Sequence, residues 1–245
     1  MTTPLPILQS AQPSCTACEL HAQARNPGVP SVHLPTSLPF SSTTPIVAVL
    51  GMNPGLQEDK VNQPFVGPSG RLLKEVYLKH ITPLAHIVLL NTARCYTHSA
   101  TPPKPKQFRT CFSTYSTLDL TSLASALSPT TPRILLACGA HALSTVTKFT
   151  SSKAWSLTSA FTRQGTPTNL WGDWQLFTTF HPAAVLRDGN LLHPVSDHMT
   201  LIHSALVGQM PVASSPNLVP PFCPPNDPAE ANHWNEEFRK NPKMN

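Results

Sequence analysis

No run of about 18 apolar residues occurs anywhere in the 245-residue chain, which argues against a helical membrane span. The proline- and serine-rich start lacks the basic-then-apolar order of a secretory signal, so an intracellular, cytoplasmic protein is expected. Six cysteines are too few and too unevenly spaced for a secreted disulfide scaffold of this length. Charge is scarce as well: 12% of residues are charged, with 17 Lys and Arg against 12 Asp and Glu, a net +5. That mild excess suits a polyanionic partner and is also ordinary for a soluble domain. No internal repeat is visible.

Proline is abundant where glycine is not. Twenty-eight prolines stand against ten glycines, and they crowd the first 45 residues, the stretch 101–105 and the last 35. The expected organisation is a loose lead over 1–13, one α/β domain over 14–207, and a proline-rich tail over 208–245 that closes on a short helical piece around Glu236.

The domain is organised around IVAVLGMNPGLQEDKVNQPFVGPSGRLL, residues 46–73. Its first five residues read as a buried strand; Gly51 and Pro54 then open a polar loop with one aromatic, Phe65, before Ser69 starts a helix. IVLLN at 87–91, RILLACG at 133–139 and WQLFTTF at 174–180 read as three more buried strands. Helices are expected at 14–25, at 69–80, from Lys106 or Gln107 into the 120s, at 140–149 and at 194–206. Apolar strands alternating with helices predict a three-layer αβα fold around a central, mostly parallel four-stranded sheet.

Two constellations bear on chemistry. Cys15 and Cys18 form a CxxC one helical turn apart, Cys95 follows the second strand, and Cys111 opens the next helix. Four thiolates from two segments suit zinc or a [4Fe–4S] cluster. Cys138, inside a strand, and Cys223, in the tail, read as a core thiol and an incidental one. Asn53, Asn91 and His181 each follow a different strand, so in a parallel sheet they converge on the crevice at the strands' carboxyl ends, with Phe65 in the loop above. Taken singly, each has a plain reading as a turn or strand-end residue.

These motifs, in this order, resemble the uracil-DNA glycosylase superfamily. GMNPG at 51–55, PFVGPSGRLL at 64–73, the Asn-ended strand, the HP segment HPAAVLRDGN at 181–190 and the cysteine spacing are closest in layout to its iron–sulfur family 4. The resemblance spans roughly residues 14–206. It implies a [4Fe–4S] cluster on Cys15, Cys18, Cys95 and Cys111, pinning the N-terminal helix to the loop after the second strand. It implies base excision from uracil-containing DNA, with the nucleotide flipped into a pocket lined by Gly51 and Met52; a monomer, in the cytoplasm and associated with the nucleoid, is expected. Phe65 would stack on uracil, and the Asn91 amide would accept from N3–H and donate to O4. His181 would stabilise the anion at O2, and Asn53 would hold the attacking water.

The HP segment would enter the minor groove as a loop, with Leu186 or Val185 as the wedge and Arg187 on a phosphate. Arg163, in TRQGTP, would contact DNA, and Lys104 and Lys106 are open to two readings, ordinary solvated lysines or phosphate contacts. Family 4 has Glu where this chain has Met52; GMNPG is the form of the single-strand-selective and mismatch-specific branches. Glu58 and Asp59 are the nearby carboxylates, expected on a solvated loop face. No lysine lies in the site motifs, so a Schiff-base lyase step is not expected. The rival readings are a non-catalytic DNA-binding scaffold and a glycosylase for hypoxanthine or xanthine.

Overall fold

The structure, a computed structural model, describes residues 6–9, 12–98, 101–150 and 153–209. The tail beyond 209, with Cys223 and the helical piece expected around Glu236, lies outside them.

Six strands form one sheet in the order β1-β3-β2-β4-β6-β5. The four inner strands, β2 (Ile46–Gly51), β3 (His86–Asn91), β4 (Arg133–Cys138) and β6 (Gln175–Thr179), are those expected from sequence, and they run parallel. Two antiparallel strands of two residues each, β1 (Val32–His33) and β5 (Thr166–Pro167), add edges that the four-stranded expectation lacked.

The inner strands bury both faces, which is why they read as continuous apolar runs rather than alternating ones. Along β2, Val47 and Val49 face one core while Ile46, Ala48 and Leu50 face the other. The first core is closed by α2 (Pro68–Leu72), which continues as a π-helical turn over Leu73–Tyr77, and by α7 (Pro182–Arg187) and α8 (Leu192–Leu206). The second is closed by α4 (Thr117–Ser125), α5 (Ala140–Thr150) and α6 (Leu157–Phe161). Helix α4 is the last part of one long helical run that begins as α3 (Pro105–Cys111) and passes through a π-helical turn at Phe112–Ser116.

The chain leaves β2 toward β3 on one side and leaves β4 toward β6 on the other. The carboxyl ends of β2 and β4 therefore flank the point where the winding reverses, the usual place for a ligand crevice in such sheets. Gly51 pairs in register with Asn91 there, and Cys138 with Thr179.

The N-terminal helix expected over 14–25 is not formed. Cys18 is extended (φ −155°, ψ 165°), and only a 3-10 turn, Glu19–Gln23, follows it. Pro27 disfavours helix at Asn26, and the extended residue turns the segment toward the rest of the domain. Among the described residues no helix is long and apolar enough to cross a membrane.

Candidate active site and cysteine pocket

At the end of β2, Gly51 is in contact with two side chains at once. A β-carbon built on it would lie 2.5 Å from Asn91 Oδ1 and 2.6 Å from Phe65 Cζ. The ring and the amide thus come together over a residue that has no side chain to separate them. Phe65 takes a left-handed backbone (φ 54°), a strained choice for an aromatic residue, and is 5% exposed. Gly70 makes that possible: a β-carbon there would sit 1.9 Å from the Phe65 carbonyl oxygen, so α2 packs directly on the backbone of the aromatic loop.

Glu58, in the short helix α1 (Leu56–Val61), holds the same loop from below. Its Oε1 accepts from the Val66 and Gly67 N–H groups at 3.0 and 2.8 Å, and its Oε2 from Gly55 N–H at 3.1 Å. Asp59, next to it, is 3% exposed and accepts from Arg25 and Asn26 N–H, each at 2.9 Å. The half-buried Glu58 is therefore tied to backbone donors close by in the chain, and Asp59 is buried, held by backbone donors from a distant segment, so neither is a free carboxylate on a solvated loop face. The G-x-x-E spacing of a capping box at Gly55–Glu58 was the available signal for the first; nothing in the sequence marks the second.

Asn53 is half-buried and donates its amide to Pro54 O at 3.1 Å. Among the described residues no donor reaches its Oδ1, the atom that can hold a water. Met52 packs against the small core of Leu20, Ala93, Cys95, Phe108 and Cys111. The backbone of this loop is bonded to the segment after β3 through Thr92 N–H to Gly51 O (2.9 Å) and Ala93 N–H to Met52 O (3.0 Å).

His181 caps α7, and its Nδ1 accepts Ala183 N–H at 3.2 Å, leaving Nε2–H as the donor of the neutral ring. Burial, with a smaller contribution from the positive charge of Arg187, pushes its pKa down to about 4. Gly139 (φ 86°) lets the end of β4 approach: a β-carbon there would lie 3.0 Å from His181 Cβ. Residues 182–187 form a helix rather than the expected loop. Within it Val185 is built into the core, Leu186 is half-buried against that core, and Arg187 is exposed in the last turn. Arg163 is exposed and lies over the Trp155 ring at 5.0 Å, while the neighbouring Gln164 amide pairs with both the N–H and C=O of Thr178. Lys104 and Lys106 are exposed at the start of α3.

Cys15, Cys18, Cys95 and Cys111 line one pocket, with His21, Arg94 and Tyr115 on its walls. The Arg94 backbone N–H is aimed at a sulfur, donating to Cys111 Sγ at 3.2 Å; Gly28 and Leu20 also line the pocket. Burial pushes the Cys95 thiol up to about 11 and Cys111 up to about 12, so a cationic centre is needed to hold them as thiolates. Among the described residues no three Cys, His, Asp or Glu close around a single metal ion. Four thiols lining one pocket supply the donor chemistry that either zinc or a [4Fe–4S] cluster requires.

One lining residue, Arg94, also belongs to a buried ion pair. Arg94 and Asp119, each 1% exposed, are paired directly, and Ser31 Oγ bonds both, at 2.7 Å from Arg94 and 2.6 Å from Asp119. The remaining Asp119 oxygen accepts Gln9 N–H at 2.6 Å, tying the N-terminal segment to α4. Cys138 is buried within β4, as a core thiol would be.

Residues 38–199 match the profile of the family described as the Uracil DNA glycosylase superfamily. The chain is 29% identical over 174 residues to the Type-4 uracil-DNA glycosylase of Thermotoga maritima, covering 71% of this chain and 79% of that protein. It is 28% identical over 184 residues to the Type-4 uracil-DNA glycosylase of Sulfurisphaera tokodaii, covering 73% and 74%.

Proposed function

From the premise that this chain belongs to the uracil DNA glycosylase superfamily, we propose that it is a DNA-repair hydrolase that cleaves the N-glycosidic bond of uracil in DNA and leaves an abasic site. The observation that carries this reading is the meeting of the Phe65 ring and the Asn91 amide over Gly51. A flipped uracil stacks on that ring, and the amide accepts from its N3–H and donates to O4. Cytosine presents the reverse pattern and leaves both groups unpaired.

The C1′–N1 bond breaks with its electron pair going to the base. Nε2–H of His181 stabilises the anion at O2, a contribution of roughly 3 kcal/mol for one well-placed donor. Water held by Asn53 adds to the cationic sugar carbon, and its proton is released to solvent. An amide does not deprotonate water, Met52 packs toward the cysteines, and the Glu58 and Asp59 carboxylates are committed to backbone N–H groups. The reaction therefore depends on leaving-group stabilisation rather than on a strong base.

Cys15, Cys18, Cys95 and Cys111 would hold a [4Fe–4S] cluster, which supplies a structural cross-link between the N-terminal segment and the loop after β3. Arg187, Arg163 and Leu186 would contact the DNA, and the enzyme would act as a monomer in the cytoplasm, at the nucleoid.

The test is a labelled oligonucleotide with one uracil, single-stranded or opposite guanine or adenine, treated with protein and then alkali. Alkali-dependent scission by the wild type, absent in an Asn53→Ala, His181→Ala double variant, is expected. No scission on any of these substrates refutes the assignment; cleavage of hypoxanthine or xanthine instead, or DNA binding without cleavage, identifies which rival holds.

A further inference from the structure

Helix α1 has two adjacent carboxylates that bond in opposite directions. Glu58 accepts from Gly55, Val66 and Gly67, on either side of the loop that presents Phe65. Asp59 accepts from Arg25 and Asn26, and its carbonyl accepts from the Asn26 side chain. Arg25 and Asn26 end the segment that begins at the CxxC; just beyond, Gly28 lines the cysteine pocket and Val29 N–H bonds Arg94 O, next to Cys95, at 2.8 Å. The cysteine segment, α1 and the aromatic loop are thus joined in series through two neighbouring side chains on a helix of six residues. Met52 makes a second, apolar connection between the first-motif loop and the cysteine lobe.

We propose that Asp59 is a positioning residue that couples the state of the cysteine pocket to the placement of the base-stacking loop. This rests on the glycosylase reading for its catalytic consequence, but the coupling itself does not. With the cysteine segment held, Asp59 fixes α1, and Glu58 keeps residues 66–67 where Phe65 meets Asn91. With that segment released, the Asp59 carboxylate loses its two donors and the loop loses its support. Because Asp59 is met by backbone donors and no ion pair to it occurs among the described residues, exchanging it for asparagine keeps the shape and turns one acceptor into a donor facing an N–H.

The test uses the full chain as purified, in wild-type and Asp59→Asn forms, with three readouts. Iron and zinc per chain are expected to be unchanged. Deuterium uptake by peptides spanning 64–68 is expected to be about tenfold faster, the loss of one hydrogen bond to a charged acceptor. KM for uracil-containing DNA is expected to rise about tenfold with kcat within about twofold, because the stacking loop binds ground and transition states alike. Wild-type uptake over 64–68 overturns the proposal, as does metal loss in proportion to activity, which makes Asp59 a simple brace for the pocket. If the wild type does not cleave uracil, the glycosylase reading fails and deuterium uptake alone decides the coupling.

Discussion

Replacing Gly51 by alanine adds one methyl group at the place where the base-stacking ring and the reading amide meet. The backbone of Gly51 is not left-handed, so alanine is free of conformational strain there. The cost is steric: the methyl would lie 2.6 Å from Phe65 Cζ and 2.5 Å from Asn91 Oδ1. Carbon atoms rest at about 3.5–4.0 Å, so the ring must withdraw by roughly 1 Å. Overpacking of this kind costs about 1–3 kcal/mol, which lowers Tm by several degrees in a domain of this size. A misplacement of about 1 Å in the groups that bind and orient a substrate lowers kcat/KM on the order of 100-fold. Single-turnover cleavage of a uracil oligonucleotide measures that loss, with circular dichroism and metal content as controls. Adding Phe65→Leu should recover part of the lost Tm, since the clash with the ring is relieved while that with Asn91 Oδ1 stays, without restoring the rate, since the stacking face is gone. A folded Gly51→Ala protein with wild-type kcat/KM would refute the assignment of Phe65 and Asn91 to one pocket.

Asn91→Asp, which presents acceptors where the amide had a donor, is expected to weaken uracil cleavage at least about tenfold and bring cytosine cleavage into the measurable range; a cytosine-containing duplex reads this directly. Arg94→Met alone strands Asp119 and should cost about 3–5 kcal/mol in urea denaturation, while Arg94→Met with Asp119→Leu should cost less than either single change. Additive costs in that cycle would show that the two charges do not act as a pair. His181 and the buried His198 are both held down to about 4, below the ordinary histidine value of about 6.5. Their neutral forms favour the fold fully above pH 6.5, and that stability is lost as pH falls toward 4, by on the order of 3 kcal/mol per ring. Turnover should be flat as pH rises from 6 to 8; a fall through 6.5 would mean that imidazolium is the working form.

The four inner strands were legible because burial on both faces writes them as unbroken apolar runs, and the places of Asn91 and His181 at strand ends were legible because each ends or follows such a run. Two-residue edge strands carry no periodicity, so Val32–His33 and Thr166–Pro167 could not be read. The segment at 14–25 has good helix formers, yet the extended Cys18 and the following Pro27 override that propensity. Glu58 and Asp59 look solvated in sequence because their partners are backbone N–H groups 8 and 34 residues away. Arg94 and Asp119 were missed for the same reason: a buried charge announces itself only through its counter-charge, which here is 25 residues distant in the chain.

The two short edge strands also bear on how the molecule behaves in a crowded solution. A parallel sheet with open sides offers rows of unpaired N–H and C=O groups, a template on which a second copy can add its own strand and start aggregation. Here each side ends in a strand of two residues. Pro30 and Pro35 flank the first, and Pro167 removes a donor from the second. The Gln164 amide, by pairing with Thr178, occupies main-chain groups of β6 that lie just beyond that strand. Neither border presents a run long enough to nucleate intermolecular pairing, so the same prolines that make the sequence look irregular keep its apolar sheet from growing.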